Sequence, residues 1–404
     1  MSVKVFQISS ELNVGSVGRI SEQIGEAIIA NGWESYIAYA RDHQASSSVS
    51  YKIGSAKDLY YHVIYTRLTD RHGFASKNAT KKLIDRIKEV NPDIIHLQHV
   101  HGYFINIDIL FNFLKQANLP VIWTFHDCWS FTGHCAHYEF VDCQKWQLQC
   151  KECPQTFEYP KSYKDNSYQN YIDKKKLFNS VENLTIVPVS NWLGQETKKS
   201  FLQHKHIEVI QNGIDIDTFL YRDSTPLKEK HMSSGKFVIL GVASPWTEKK
   251  GLQYFVELAG KLNSDFQIIL IGLSKNQIKK LPSQIIGLER TENVQELVAY
   301  YSLADVFLNP TLEDTFPTTN LEAQACGTPV ITFRSGGSPE AVNDKTGIVV
   351  DKQNVDQLIG AIYEIKRKTK ANYSNHCRSR AEELYDKRKN FIKYIDLYKR
   401  KLGI

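Results

Sequence analysis

The chain has 404 residues, 42% hydrophobic and 23% charged, too long for one ordinary core and suited to two domains. Its formal net charge of +6 favours anionic ligands or an anionic membrane surface, but falls far short of a nucleic-acid footprint. No apolar run approaches the roughly 18 residues of a membrane span, and the first residues read as a short buried strand, so a cytoplasmic placement is expected.

Residues 3–9 read as a strand, and 18–31 as a helix with Ile20, Ile24, Ala27 and Ile28 on one face. Further strands are expected at 33–39, 93–97, 121–125 and 184–189. Strands alternating with helices predict a parallel sheet covered on both faces. Between the first strand and helix, Gly15 and Gly18 allow close backbone approach to a ligand, although such glycines usually serve a tight turn. His126 and Asp127 follow the strand at 121–125, which places an imidazole at a strand's carboxyl end. Lys174, Lys175, Lys176, Lys198 and Lys199 read as solvated helix faces, or as a weak attraction to anionic lipid.

Five of the seven cysteines fall between Cys128 and Cys153. Cys135, Cys143, Cys150 and Cys153 lie in an aromatic-rich stretch with His134, His137 and Trp146 nearby. Disulfides conflict with a cytosolic chain. A structural zinc ion would explain four thiols gathered in one insertion, but only the last pair has the usual close spacing, so zinc and free thiols both stay open.

The second half repeats the scheme, with strands at 237–242, 266–271, 305–309, 330–333 and 347–351 and helices at 251–262, 294–301 and 321–326. Asn212 and Gly213 form a turn signal, and residues 221–235 are polar and aperiodic. The expected organisation is a first domain at 1–214 with the cysteine-rich insertion near 128–155, and a linker at 215–235. A second domain follows at 236–380, then a helix at 381–404. Two such domains in tandem put strand carboxyl ends toward a cleft.

The stretch 309–331 carries the chemistry. Asp314 precedes Glu322 by eight residues, and Pro317 suits the first position of a helix, where its missing N–H costs nothing. The N–H groups of Thr318, Thr319 and Asn320 would then be open to a diphosphate. One carboxylate suits ribose hydroxyls and the other sugar hydroxyls. Two acids alone are usually surface residues, but Gly327 to Val330 and then Gly336, Gly337, Pro339 and Glu340 follow, a turn where backbone N–H groups approach a ligand. Upstream, Lys249 and Lys250 precede Gly251 in a strand-to-helix loop, suited to neutralising a diphosphate leaving group.

Together these residues resemble the retaining glycosyltransferases of group four. The resemblance rests on the acids eight apart, on Ala323, Ala325, Gly327, Pro329 and Val330, and on the Gly-Gly-x-Pro-Glu turn at Gly336 to Glu340. It implies the GT-B fold, an α/β architecture of two Rossmann-like doubly wound domains facing a cleft, with the C-terminal helix crossing back to the first domain. It also implies a UDP- or GDP-sugar donor, with Glu322 on the ribose and Asp314, or its neighbour Glu313, on the sugar. Lys250 would hold the diphosphate, and Lys249 would stand in for an arginine that the family carries where Ser244 lies. Thr318, Thr319, Gly336 and Gly337 would complete donor binding, with Gly15 and His126 facing the donor and Asp127 orienting the His126 ring. The nucleobase would sit near the loop after Gly272 and residues 288–291. The implied reaction moves a hexosyl-type sugar, with retention, to a saccharide or lipid-linked saccharide by front-face attack. No covalent nucleophile and no catalytic metal are implied. The Glu-Asp-x-x-Pro spelling resembles a subgroup of capsule and exopolysaccharide synthesis, which suits a cytoplasmic enzyme peripheral to the inner membrane surface. A catalytically silent partner subunit and a nucleotide-sugar epimerase are the alternatives; the epimerase lacks enough acid/base residues. Asp215 and Asp217 resemble a metal-binding pair of another transferase fold, which the doubly wound pattern disfavours.

Overall fold

The computed structural model describes residues 2–231 and 235–404; Met1 and, within the stretch read as a linker, Met232, Ser233 and Ser234 lie outside it. The chain forms two compact units, Met1–Gln211 with Asn390–Ile404, and Asn212–Lys389.

In the first unit seven strands form one parallel sheet. They are β1 (Lys4–Ile8), β2 (Glu34–Tyr39), β3 (Val49–Lys52), β4 (Ile94–Leu97), β5 (Val121–Phe125), β6 (Leu184–Pro188) and β7 (His206–Ile207), in the order β3-β2-β1-β4-β5-β6-β7. Every residue of β4, β5 and β6 is buried, as expected for a parallel sheet covered on both faces. The helix Gly15–Ala30 packs Ile20, Ile24 and Ile28 into the core with Val5, Ile94 and Ile122. The expected C-terminal helix is two helices, Ala371–Leu384 and Lys387–Leu402. From Asn390 on, the second of these joins the first unit, burying Phe391, Tyr394, Ile395, Leu397 and Tyr398 in the same core. Two of its tyrosines meet the sheet's polar atoms. Tyr398 OH lies 2.6 Å from His96 Nδ1, and Tyr394 OH lies 3.0 Å from Thr124 Oγ1.

The helix Ala56–Thr69 is built in the reverse of the usual sense. Its buried residues are His62 and Thr66, while Tyr60, Tyr61, Ile64 and Leu68 are exposed. His62 is held inside by a 2.8 Å bond to Ser76 Oγ and by the N–H of Gly73.

The second unit holds β8 (Phe237–Val242), β9 (Phe266–Ile271), β10 (Ile285–Leu288), β11 (Val306–Asn309), β12 (Val330–Phe333) and β13 (Gly347–Val350). They form a parallel sheet in the order β10-β9-β8-β11-β12-β13. Where a linker is expected, the chain carries a short helix, Thr225–His231, with Phe219 and Leu227 buried. Asp215 and Asp217 are ion-paired to Lys387 and Arg388, which accounts for both acids without a metal. Among the described residues, no helix is long and apolar enough to cross a membrane.

Candidate functional site

In an open parallel sheet, ligands bind beyond the strand carboxyl ends where the strand order reverses. In the second unit that point lies between β8 and β11. The loop after β8 runs through a 3-10 turn, Glu248–Lys250, to Gly251. Gly251 has φ 79°, and an added Cβ would lie 2.2 Å from the Pro310 carbonyl oxygen. The two loops therefore meet where no side chain fits, and the Leu312 N–H donates to the Lys249 carbonyl at 2.7 Å.

That contact aligns two lysines with two acids. Lys249 Nζ lies 2.9 Å from Glu313 Oε1, and Lys250 Nζ lies 2.7 Å from Asp314 Oδ2. Glu313 is 5% exposed at its side chain and Lys249 22%, against 18% for Asp314 and 38% for Lys250. The first pair faces inward and braces the loops; the second is the more exposed of the two. Lys249, expected to stand in for an arginine at the donor, is ion-paired to Glu313, and Ser244 is exposed in the same loop. Asp314 also accepts from the Phe316 N–H at Oδ1, and its carbonyl accepts from Gly337 N–H at 3.0 Å, which ties the glycine turn to the acids. Gly336, with φ 51°, supplies the left-handed residue of that turn.

The helix after β11 is Thr318–Ala325, and Pro317 is its N-cap rather than its first residue. Asn320 N–H bonds back to the Pro317 carbonyl at 3.2 Å, so Thr318 and Thr319, not Asn320, carry the leading donors. The Asn320 side chain instead joins Asn309 to Ser338. Glu322 Oε2 accepts from Tyr301 OH at 2.9 Å. Tyr301 is fully buried on the helix Val294–Leu303 and gives no sequence signal beyond an apolar-face position. Near the expected base pocket, Gly272 (φ 99°) and Leu273 both donate to the Leu288 carbonyl.

In the first unit the order reverses between β1 and β4. Gly15 opens the helix after β1 with φ 66°, and a Cβ there would lie 2.7 Å from Glu11 Oε2. His126 follows β5 at the same edge. Its Nε2 is 3.0 Å from Gln98 Oε1; Gln98 Nε2 donates to Gln7 Oε1, and Gln7 Nε2 to the Ser21 carbonyl. Gln7 and Gln98 are buried, so this chain fixes the imidazole, and burial above all pushes its pKa down to about 3. His126 is a neutral hydrogen-bonding group at neutral pH.

Asp127 does not orient His126. Its Oδ2 takes His101 Nε2 at 2.7 Å and His99 Nε2 at 3.1 Å, and its Oδ1 takes the Trp129 N–H. Burial opposes its charge, but the two imidazoles hold its carboxyl well below the usual range. The other ring nitrogens meet Tyr159 OH and Ser10 Oγ. His99, His101 and Asp127 are close enough for a metal, but all four ring nitrogens already have partners. Sequence reading passed over Gln7, Gln98, His99 and His101, although Gln98, His99 and His101 crowd one strand's carboxyl end.

The thiols Cys135, Cys143, Cys150 and Cys153 line a single small cavity, and none is in a disulfide. Lys174, expected on a solvated face, is buried and donates to the carbonyls of Trp129 and Thr132.

Two parallel-sheet α/β units, each with a point where the strand order reverses, are the architecture of the GT-B fold. Family profiles agree. "Glycosyltransferase Family 4" matches residues 17–218, and "Glycosyl transferases group 1" matches residues 236–367. The chain belongs to glycosyltransferase family 4. A glycosyl transferase of Escherichia coli (strain K12) named for colanic acid biosynthesis, WcaC, is 24% identical over 88% of this chain and 89% of its own. A D-inositol 3-phosphate glycosyltransferase of Pseudarthrobacter chlorophenolicus is 31% identical over 37% of this chain and 39% of its own. Two solved structures share the fold. Sucrose-phosphate synthase of Thermosynechococcus elongatus has a TM-score of 0.71 at 16% identity, covering 99% of both chains. HepE of Anabaena, solved with UDP and glucose, has a TM-score of 0.67 at 15% identity over 98% of this chain and 99% of its own.

Proposed function

We propose that the protein transfers a hexosyl group, with retention, from a UDP- or GDP-sugar to a saccharide or lipid-linked saccharide, in capsule or exopolysaccharide synthesis on the cytoplasmic side of the membrane. The observation that carries this reading is the Lys250–Asp314 pair beside the start of the helix Thr318–Ala325. The colanic acid name of one relative and the UDP in the HepE structure are consistent with it.

The donor's diphosphate takes the place of Asp314 at Lys250 Nζ, which releases that carboxylate to accept from a sugar hydroxyl. Glu322, steadied by Tyr301, accepts from the ribose. As the glycosidic bond breaks, negative charge grows on the phosphate. Lys250 and the amides of Thr318 and Thr319 stabilise it, a task that falls to a divalent cation in other transferases. The departing phosphate takes the acceptor proton, so no protein nucleophile is needed. The first unit carries the acceptor, with neutral His126 positioning a hydroxyl rather than supplying charge.

Exposed Tyr60, Tyr61, Ile64 and Leu68 support a peripheral seat on an anionic bilayer. Exposed Tyr163 lies beside them through its N–H bond to the Arg67 carbonyl, and Lys57, Arg67, Lys161 and Lys164, near these residues in sequence, are exposed. Flotation with anionic vesicles should retain the wild type and lose Tyr60→Ser/Leu68→Ser; equal flotation of both removes this seat.

A thermal-shift screen of nucleotide sugars, followed by assay of nucleoside diphosphate release, tests the main reading. One donor should raise the melting temperature and release its nucleotide on transfer. A shift without turnover on any acceptor would favour the silent subunit, and no shift with any donor would sink the donor site.

A further inference from the structure

Residues 128–166 run from β5 toward the helix Ser167–Asn179 with only two 3-10 turns, Glu139–Val141 and Lys145–Gln147. The segment is not short of apolar packing, since Trp129, Phe131, Tyr138 and Trp146 are buried. Its polar interior needs an explanation.

Cys135, Cys143, Cys150 and Cys153 line one cavity, and His134 stands on its wall. The Gly133 N–H donates to Cys150 Sγ at 3.1 Å, and Gly133 admits no side chain, because a Cβ would lie 2.7 Å from Cys150 Cβ. His134 has no exposed side-chain surface. Its Nδ1 lies 2.5 Å from an oxygen of the equally buried Asp70, and its Nε2 has no partner. Beside them is Lys174, 1% exposed, which donates to the Trp129 and Thr132 carbonyls and lies 3.4 Å from the centre of the Trp129 ring. It makes no ion pair among the described residues. A buried ammonium hydrogen-bonded to neutral carbonyls and a buried imidazole nitrogen without a partner are each costly in isolation. Here both stand against four reduced thiols.

We propose that Cys135, Cys143, Cys150 and Cys153 bind one structural zinc ion, with the Asp70–His134 pair and Lys174 as its outer shell. Four thiols lose their protons to solvent as the ion binds, and nothing is oxidised or reduced. The resulting centre carries two negative charges. The Lys174 ammonium offsets one of them, and the N–H of Gly133 and the His134 ring serve the sulfurs. Among the described residues only His99, His101 and Asp127 bring three ligand atoms within 4.8 Å, so the thiols must close in on the ion. Zn–S bonds require sulfurs about 3.8 Å apart. Cys143, Cys150 and Cys153 are half-buried and Cys135 is buried, so the three partly exposed thiols would move in toward Cys135. The ion would pin the segment that carries Trp129, whose N–H holds Asp127, and so would brace the loops around His126 without taking part in transfer.

Metal analysis of the full chain purified without chelator should give about one zinc per chain. Cys326→Ser in the second unit should keep it, and Cys150→Ser/Cys153→Ser should lose it. A second measurement on the wild type does not depend on that variant's folding: chelator should expose four further thiols to a thiol reagent. His134→Gln should keep the thiolate-to-cobalt absorption of the cobalt-loaded protein while weakening metal affinity roughly ten- to a hundred-fold. Zinc below ~0.1 equivalent after refilling, with labelling unchanged by chelator, would overturn the site. A cobalt spectrum without thiolate bands would overturn it too. Neither result bears on the donor reading, which uses none of these residues.

Discussion

Lys249 and Lys250 are adjacent in sequence but have different tasks, because the 3-10 turn points one toward buried Glu313 and the other toward Asp314 at the loop edge. Lys250→Ala should therefore lower kcat by about 10²–10³-fold with a small change in donor affinity, as expected for a group that meets developing charge. Lys249→Ala should act on stability instead, since it leaves Glu313 buried and short of its cation. Steady-state kinetics beside a melting curve separates the two; equal kinetic losses would refute this division. At Glu322, replacement by Ala should weaken donor binding by roughly 1–3 kcal/mol, read by titration calorimetry. Tyr301→Phe should take a smaller share of the same loss, because the hydroxyl it removes is the one that donates to Glu322.

Loops shape the proposed donor site at the scale of elements. Gly251→Ala would force a Cβ against the Pro310 carbonyl in a left-handed backbone, separating the β8 and β11 loops. Both melting temperature and donor affinity should fall, and an unchanged variant would mean that the loop contact does not shape the site. Much of this was legible in sequence. β5, β8, β9 and β12 were bounded correctly because short apolar runs between turn signals leave little choice. β3 and β10 escaped because they are short, at sheet edges and partly exposed, so no burial pattern marks them. The acids stand out in sequence because their spacing from Gly327 and Gly336 is linear information. Gln7, Gln98 and Tyr301 escaped because their roles depend on contacts across 91 residues in one case and 21 in the other. Asp127 was given the wrong partner for the same reason: its nearest chain neighbour is not its nearest hydrogen-bond donor.

Across the whole molecule, titration falls unevenly. Burial pushes His62, His96 and His126 down to about 3 and His101 to about 4. All four belong to the first unit. The folded state binds these protons less readily than the unfolded chain, whose histidines titrate near 6.5. Their contribution to stability is therefore complete above about pH 6.5 and falls as pH drops from there toward 3, by up to about 1.4 kcal/mol per pH unit for each. Five of the six tryptophans lie in the first unit, Trp246 being the exception, so urea melts followed by tryptophan fluorescence should shift to lower urea between pH 7 and 5. A midpoint constant over that range would contradict the buried neutral state of these rings.

The first unit's core also takes Phe391, Tyr394, Ile395, Leu397 and Tyr398 from the other end of the numbering, side chains worth roughly 1.5–3 kcal/mol each when buried. A chain stopped at Lys389 should keep the second unit's fold and lose the first unit's, seen as insolubility or as loss of amide protection confined to residues 1–211. Retained protection there would show that the helix only decorates the sheet. Synthesis on the ribosome gives this arrangement a further meaning. Residues 1–211 emerge first but cannot close their core until residue 398 has been made, after the whole second unit has been translated. The early half must therefore wait, partly open, while the later half folds. A polypeptide broken off at any point before that residue displays its own incompleteness to chaperones and proteases.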